Sequence, residues 1–260
     1  EAVQWTVPAV LPDRHQLADF LRTAANEVTY PIQQGELLQA GDGVSLACDY
    51  LKPYLAHASI GLSCALAQWD GATLQVWTHS QGIQNLRDDL TKALGLPKSS
   101  IVMRHVEGSG CYGHNGADDV AFDAVMLAMA LPGDPVRVVW SRADELSHAP
   151  LGSAHLVSLR ARLNDKGHIT HWHHELWANG YSSRPGRAAL PTLLGASQHA
   201  NGQPIPLAIN PPLAAGGGSD RNAVPAYNIE HTHVVNHRLT VMPLRTSAMR
   251  ALGAYANVFA

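Results

Sequence analysis

The stretch Gly108-Ser-Gly-Cys-Tyr-Gly-His-Asn-Gly-Ala-Asp-Asp119 carries four glycines in nine residues and lies between two apolar segments. The preceding run, 101–106, is typical of a strand, and the following run, 120–131, is typical of a helix. Glycine permits positive φ angles and lets the backbone approach a bulky group, because it has no Cβ atom. Amides exposed by such a turn beside a helix start suit an anion such as a phosphate or a metal-oxo group. The stretch therefore predicts a cofactor-binding loop.

A dinucleotide-binding fingerprint is the first alternative for this loop. Gly108, Gly110 and Gly113 satisfy G-x-G-x-x-G, and residues 136–142 could supply the second strand of an NAD(P)-binding unit. The spacing argues against it, because the helix of that unit begins inside the glycine motif. Here six residues intervene, and Asp118 is a favourable N-cap residue that predicts a later helix start. A purely structural glycine turn is the other alternative.

The composition indicates a folded protein with no feature of a nucleic-acid or membrane-spanning protein. Hydrophobic residues make up 46% of the 260 residues, and no apolar run is long enough to span a bilayer. The net charge is −3 with neutral histidines, and the basic residues are scattered. The three cysteines, Cys48, Cys64 and Cys111, lie in unlike contexts and predict neither a disulfide framework nor an iron–sulfur site. The chain begins without Met and stops inside an apolar run, which leads us to expect a piece of a longer polypeptide.

Alternating strand and helix patterns with frequent hairpins predict an α+β fold with a mixed sheet. Helices are expected at 14–26, 84–94, 119–131 and 246–260, and strands at 45–50, 59–69, 73–78, 101–106, 136–141, 155–163, 168–178 and 233–241. Residues 27–43 look like a polar connector. The Pro-, Gly- and Asn-rich segment 182–228 predicts an extended excursion over a surface or around a ligand.

Histidine-rich strands give a second alternative, a non-catalytic metal-binding domain. Strand alternation puts each of two histidine sets on one face, as a zinc site requires. The sets are His171, His173 and Glu175 on one strand and His231, His233 and His237 on the other. A solvated or interfacial histidine-rich face is the simpler interpretation of both.

Gln81 lies in Thr78-His-Ser-Gln-Gly82, between a predicted strand and a predicted helix. An amide side chain at this position can be directed into a binding site, where it donates hydrogen bonds to a neutral or anionic acceptor. It can equally serve as a helix-cap residue.

Four segments in order carry a resemblance to a known family. They are Tyr50-Leu-Lys-Pro-Tyr-Leu-Ala-His-Ala58, Trp77-Thr-His-Ser-Gln-Gly-Ile-Gln84, Gly108-Ser-Gly-Cys-Tyr-Gly113 and Leu244-Arg-Thr-Ser-Ala-Met-Arg-Ala-Leu-Gly253. Together they resemble the molybdopterin-binding large subunit of the xanthine dehydrogenase / aldehyde oxidase family. The resemblance is closest to the branch that includes nicotinate dehydrogenase and isoquinoline 1-oxidoreductase.

The resemblance implies roles for individual residues. Gln81 matches the family's glutamine, which donates a hydrogen bond to an oxo ligand of molybdenum. Gly110 and Cys111 lie in the matching loop, with Cys111 in place of a glycine, and Tyr112 and Gly113 match the Phe-Gly pair whose backbone approaches the metal. Arg250 matches an arginine of the pterin-side loop. The family's glutamate base lies in a motif that this chain does not contain, so no catalytic residue is assigned.

The resemblance also implies the wider organisation. Residues 45–260 are expected to form a mixed-sheet, two-layer molybdenum cofactor-binding domain, the first of two such halves and truncated at its C-terminus. Residues 1–44 would be a linker or the tail of a preceding hammerhead-like domain. The expected cofactor is molybdenum–molybdopterin, with iron–sulfur clusters on a small partner subunit or domain.

The implied reaction is hydroxylation of an N-heterocycle or aldehyde with oxygen from water. The isolated fragment is expected to be inactive, and the parent complex is expected on the cytoplasmic or periplasmic face of the inner membrane.

Overall fold

A computed structural model describes residues 11–39, 46–108, 110–199 and 201–260. The predicted turn at 41–43, Ser45 of a predicted strand and Ser109 of the glycine stretch lie outside these residues. The strands are β1 (Asn26–Gln34), β2 (Leu46–Lys52), β3 (Cys64–Trp69), β4 (Leu74–Thr78), β5 (Ile101–His105), β6 (Pro135–Val139), β7 (Leu151–Gly152), β8 (His155–Leu163), β9 (Ile169–Ala178), β10 (His231–Leu239) and β11 (Thr246–Ser247). The helices are α1 (Leu17–Thr23), α2 (Ile83–Leu94), α3 (Ala117–Ala130), α4 (Arg142–His148), α5 (Leu194–Gln198) and α6 (Ala254–Phe259), with 3₁₀ turns at Lys98–Ser100 and Leu213–Ala215.

A five-stranded mixed sheet has the order β1-β10-β9-β8-β2, and only the β10–β9 pair is parallel. Alternate residues of its strands point to opposite faces. Leu156 and Trp177 therefore pack with α1 on one face, while Val157 and Leu176 pack with Ala256 of α6 on the other. Apolar side chains buried on both faces hold this sheet between two short helices.

A four-stranded sheet, β5-β4-β3-β6, carries the cofactor-loop candidate at the end of β5. Helices α2 and α3 pack against it. Ala121, Ala124 and Ala128 of α3 are fully buried, and their small side chains let the helix approach β3 closely. Both large sheets mix parallel and antiparallel pairs, which confirms the mixed-sheet α+β prediction. None of the described helices has the length and apolar character needed to cross a bilayer.

The NAD(P)-binding alternative is wrong in topology. In that fold, successive strands of a βαβ unit lie parallel in one sheet around the cofactor loop. Here β5 and β6 are separated by β4 and β3, and β6 pairs antiparallel with β3. The glycine loop therefore does not open a dinucleotide-binding unit.

Two local predictions were also wrong. The expected polar connector contains β1, an edge strand that pairs with β10 and is interrupted by a bulge between Thr29 and Ile32. An edge strand exposes polar residues and tolerates a proline such as Pro31, so its pattern is not apolar. The C-terminal helix begins only at Ala254, because the chain first forms β11. The division at residue 44 stays a prediction.

Two buried carboxylates fasten the irregular segment to the four-stranded layer. Asp89 of α2 accepts hydrogen bonds from the backbone N–H groups of Gly186 (3.0 Å) and Thr192 (2.9 Å) and from the Thr192 hydroxyl. Asp119 of α3 accepts from the N–H of Leu194 (2.9 Å). Because Asp89 is fully buried and Thr192 is only 2% exposed, the bonds between them are shielded from solvent. The bonds of Asp89 and Asp119 fix residues 186–194 of the excursion to the four-stranded layer.

Asp89→Ala leaves the N–H and hydroxyl donors of Thr192 unsatisfied in the interior and removes the acceptor of the Gly186 N–H. We expect it to lower the free energy of unfolding by about 3 to 5 kcal/mol and to open the 184–194 segment to limited proteolysis. Asp88→Ala is the matched control, since Asp88 is exposed and pairs with the exposed Lys98. It should cost less than about 1 kcal/mol. Equal protease resistance of the two variants would contradict the anchoring role.

Two buried histidines predict acid sensitivity. Burial, the largest effect in each case, lowers the pKa of His155 to about 3 and that of His174 to about 4. Both are neutral when folded, whereas an unfolded histidine titrates near a pKa of about 6.5. Because the unfolded state then binds more protons, the stability they support is complete above about pH 6.5 and is lost as pH falls towards about 4.

We expect His174→Gln to make urea unfolding less pH-dependent between about pH 6.5 and 4.5. The His174 contribution to that dependence is roughly 3 kcal/mol over its full range. His168→Gln, at an exposed hairpin position, controls for the loss of a histidine. A His174→Gln profile parallel to that of the unchanged chain would show that this histidine does not set the acid sensitivity.

Candidate functional site

The glycine loop adopts a strained, left-handed backbone. Gly110 has φ of 92°, Gly113 has φ of 129°, and Tyr112, which is not a glycine, has φ of 57°. A non-glycine residue in this region costs about 1 to 3 kcal/mol and persists only where neighbouring structure enforces it. The φ angle of Tyr112 is maintained by a contact with a distant part of the chain.

Residues 248–250 clasp the loop through antiparallel backbone bonds. The N–H of Arg250 donates to the carbonyl of Tyr112 (2.7 Å), and the N–H of His114 donates to the carbonyl of Ala248 (2.7 Å). Gly113 faces Met249 in the bridge between these bonds. A Cβ atom on Gly113 would lie 2.1 Å from the Ala248 carbonyl oxygen, so only glycine fits. The clasp brings two predicted cofactor-binding segments together.

A buried polar network lies behind the loop. The Nδ1 atom of His114 is 2.8 Å from the Ser247 hydroxyl, and its Nε2 atom is 2.9 Å from the Asp118 carboxylate. Burial alone would raise the pKa of Asp118, but hydrogen bonds from His114 and Ser80 outweigh it and hold that pKa below its usual value. Asp118 is therefore ionised, and its carboxylate has a structural role as the acceptor of hydrogen bonds from His114 and Ser80.

The expectation that Asp118 caps α3 was wrong. The helix begins at Ala117 with Gly116 as its N-cap residue, and Asp118 lies within the first turn. The Asn115 side chain accepts a hydrogen bond from the N–H of Ala117, which starts the helix earlier. The Asp118 carboxylate turns instead towards His114, where the positive end of the helix dipole also favours it.

Cys111 contributes a neutral thiol to the loop. Its Sγ atom donates to the carbonyl of Gly113 at 2.8 Å. Burial raises the pKa of the Cys111 thiol, so the protonated form that this hydrogen bond requires predominates at neutral pH. The side chain stabilises the turn as a donor.

Gln81 does not cap α2, because Gly82 occupies the N-cap position. Its Oε1 atom instead accepts a hydrogen bond from the guanidinium of Arg184 at 2.6 Å. The carbonyl end of the amide is thereby engaged, and the amide is oriented with its NH₂ end available as a donor. The exposed position of Gln81 lets this donor face a bound group.

Arg184 was not identified from the sequence. It lies in the excursion, where the N–H of Ser183 donates to the Ser247 hydroxyl and the Ser183 hydroxyl donates to the Thr246 carbonyl. Burial lowers the pKa of the Arg184 guanidinium, and the nearby Asp118 and Cys111 oppose that effect. The fold therefore holds a cation beside Gln81 and the glycine loop.

The predicted site residues thus form one group among the described residues. Gln81 contacts Arg184, Arg184 lies near Cys111, and Tyr112 bonds to the backbone of Arg250, whose side chain is exposed. The donors of this group are the NH₂ of Gln81 and the guanidinium groups of Arg184 and Arg250. Such a set fits a group that carries oxo and phosphate oxygens.

The histidine-rich faces lie elsewhere, on the five-stranded sheet. The predicted trio does not converge: His233 contacts the Gly35 carbonyl, and His237 pairs with Glu175 at 2.8 Å. His173 also lies 3.7 Å from Glu175 and shares that carboxylate. Strand alternation places residues on one face but does not bring residues six positions apart within reach of one ion. The predicted metal site formed by His231, His233 and His237 is therefore wrong.

The family model described as "Molybdopterin cofactor-binding domain" matches residues 22–202, so the chain belongs to that family. A nicotinate dehydrogenase subunit of Pseudomonas putida is 33% identical over 252 residues, which are 96% of this chain and 20% of that protein. The chain thus spans about one fifth of this relative. The aldehyde oxidoreductase molybdenum-binding subunit PaoC of Escherichia coli K12 is 30% identical over 52% of this chain and 18% of its own length.

Solved structures share the fold. The aldehyde oxidoreductase of Desulfovibrio gigas superposes with a TM-score of 0.62 at 15% identity over 89% of this chain and 23% of its own. Quinoline 2-oxidoreductase of Pseudomonas putida 86 superposes with a TM-score of 0.63 at 15% identity, over 88% of this chain and 27% of its own chain. The resemblance drawn from the sequence motifs is thereby confirmed at the level of family and fold.

Gly113→Ala should displace the loop and reduce molybdenum binding, since a Cβ atom would clash with the Ala248 backbone. We expect a loss of more than about 2 kcal/mol in stability and less molybdenum per chain by elemental analysis of the full-length protein. Gly71→Ala is the matched control, because Gly71 also has a positive φ, 94°, but open space around it. If both substitutions had equal effects on stability and molybdenum content, φ strain alone would explain them and the steric clash with the Ala248 backbone would not.

Proposed function

We propose that this chain is the cofactor-binding part of a molybdenum hydroxylase. The parent enzyme would oxidise an N-heterocycle or an aldehyde with oxygen from water, and electrons would pass to iron–sulfur clusters on a partner subunit. The observation that carries the proposal is the Arg184–Gln81 pair beside the glycine loop. Family membership supports it independently.

Positioning and electrostatics are the tasks of this chain in the proposal. A bound molybdenum cofactor supplies the redox chemistry. Arg184 fixes the amide of Gln81 so that its NH₂ group can donate to an oxo oxygen. Because this hydrogen bond orients the donor in advance, no conformational entropy is lost in orienting it when the cofactor binds. The loop around Gly113, held by its bonds to residues 248–250, would present its backbone to the cofactor. Arg250 supplies a second cation for a phosphate or polarised carbonyl.

The proton acceptor is proposed to lie outside this chain. Asp118 is buried, ionised and bonded to His114, so it holds structure. Glu145 is buried and accepts the N–H of Ser63, and Glu175 pairs with histidines on the other sheet. Asp118, Glu145 and Glu175 therefore have structural contacts, and none of them is assigned as the base.

An N-heterocycle is the better substrate candidate. The relative that aligns with 96% of the chain is a nicotinate dehydrogenase subunit, whereas the aldehyde oxidoreductase subunit aligns with 52%. A carboxylate or ring nitrogen of such a substrate suits the cationic environment of Arg184 and Arg250. The cysteines Cys48, Cys64 and Cys111 are free and scattered, which supports iron–sulfur clusters on a partner.

Arg184→Gln tests the proposal in the full-length polypeptide purified with its partner subunits. Losing the guanidinium frees Gln81 and removes a charge, so we expect kcat/KM for nicotinate to fall by about 10- to 100-fold while the molybdenum content is kept. Arg187→Gln, three residues away and exposed, is the matched control and should retain activity. A molybdenum-free wild-type protein, or full activity of Arg184→Gln, would contradict the proposal.

A further inference from the structure

A second group of ligand-type side chains converges at one end of the five-stranded sheet. His231 starts β10 and is the register partner of His171 on the parallel strand β9. Glu36 follows the end of β1, which pairs with β10 on its other side. One ligand atom from each of these residues lies within 4.8 Å of the others. Three chain segments far apart in sequence therefore present two imidazoles and a carboxylate to one point.

The two imidazole rings are held against each other. Their centroids are 4.1 Å apart with an angle of 28° between the planes. A second carboxylate is close, since Oε1 of Glu230 is 3.7 Å from Nε2 of His231. Arg162 is the register partner of His171 on β8. Imidazole and carboxylate together are the ligand chemistry of Zn²⁺.

The backbone restricts how His231 can bind a metal. The N–H of Glu36 donates to Nδ1 of His231 at 2.9 Å, which makes Nδ1 an acceptor and leaves the ring proton on Nε2. If a metal binds at Nδ1, the hydrogen bond from Glu36 is lost. If it binds at Nε2, the ring proton must leave that nitrogen. Ligands of a tetrahedral zinc site with bonds of about 2.0–2.1 Å lie roughly 3.3 Å apart. The exposed side chain of Glu36 has room to close the remaining gap.

We propose that Glu36, His171 and His231 form a binding site for a divalent cation of the Zn²⁺ class, with Glu230 or water as the fourth ligand. The ion would tie the segment after β1 to β9 and β10 and so secure the edge strand of the sheet. This site differs from the trio expected from the sequence, because it uses one histidine from each of two strands. It lies on the sheet that does not carry the glycine loop and is independent of molybdenum.

The test uses the full-length polypeptide with its partner subunits, incubated with Zn²⁺ and desalted. Elemental analysis should find one zinc retained per chain, and zinc-edge X-ray absorption should show only nitrogen and oxygen ligands. The double variant with His171→Ala and His231→Ala should lose this zinc with unchanged molybdenum. Glu36→Ala, outside any strand, should weaken zinc binding by at least about tenfold.

His168→Ala is the matched control, since His168 is an exposed histidine of the neighbouring hairpin. It should retain zinc fully. Failure of the wild-type protein to retain zinc, sulfur ligands in the absorption spectrum, or equal retention by Glu36→Ala and His168→Ala would overturn the proposal. Because molybdenum is measured in the same samples, loss of zinc with molybdenum kept is distinguishable from failure of the cofactor site or of folding.

Discussion

The backbone clasp between the glycine loop and residues 248–250 is the interaction on which the site depends. Two short hydrogen bonds, from Arg250 to Tyr112 and from His114 to Ala248, join segments that are more than a hundred residues apart. They hold Tyr112 at a φ angle that an isolated loop would leave. Without this contact the glycines would be merely flexible. With it, the loop is a rigid surface against which a cofactor can be placed.

The clasp is supported by polar groups that water does not reach. Ser247 contacts His114 and also accepts the N–H of Ser183, so one hydroxyl connects the loop, β11 and the excursion. Asp118 completes the network behind His114. The same contacts that stabilise the fold therefore aim Arg184 at Gln81.

The sequence predicts those features that depend on neighbouring residues, and it does not show those that depend on contacts between distant segments. The glycine loop and Gln81 stand out in the local sequence, whereas the 244–253 segment was identified through the family resemblance. Arg184 was missed because its position follows from long-range bonds of its segment to Asp89, which no local pattern shows. Strand β1 was missed because an edge strand need not be apolar. The meeting of Glu36 with two histidines was equally invisible, since it depends on the register of three strands.

We propose that Gln81, Arg184 and the clasped loop surround the molybdenum cofactor. Anomalous diffraction at the molybdenum edge, from crystals of the full-length protein with its partners, tests this claim most directly. We expect a single molybdenum peak with its ligands within hydrogen-bonding reach of the Gln81 amide and beside Gly113. A peak remote from these residues, or a well-folded protein without molybdenum, would contradict it.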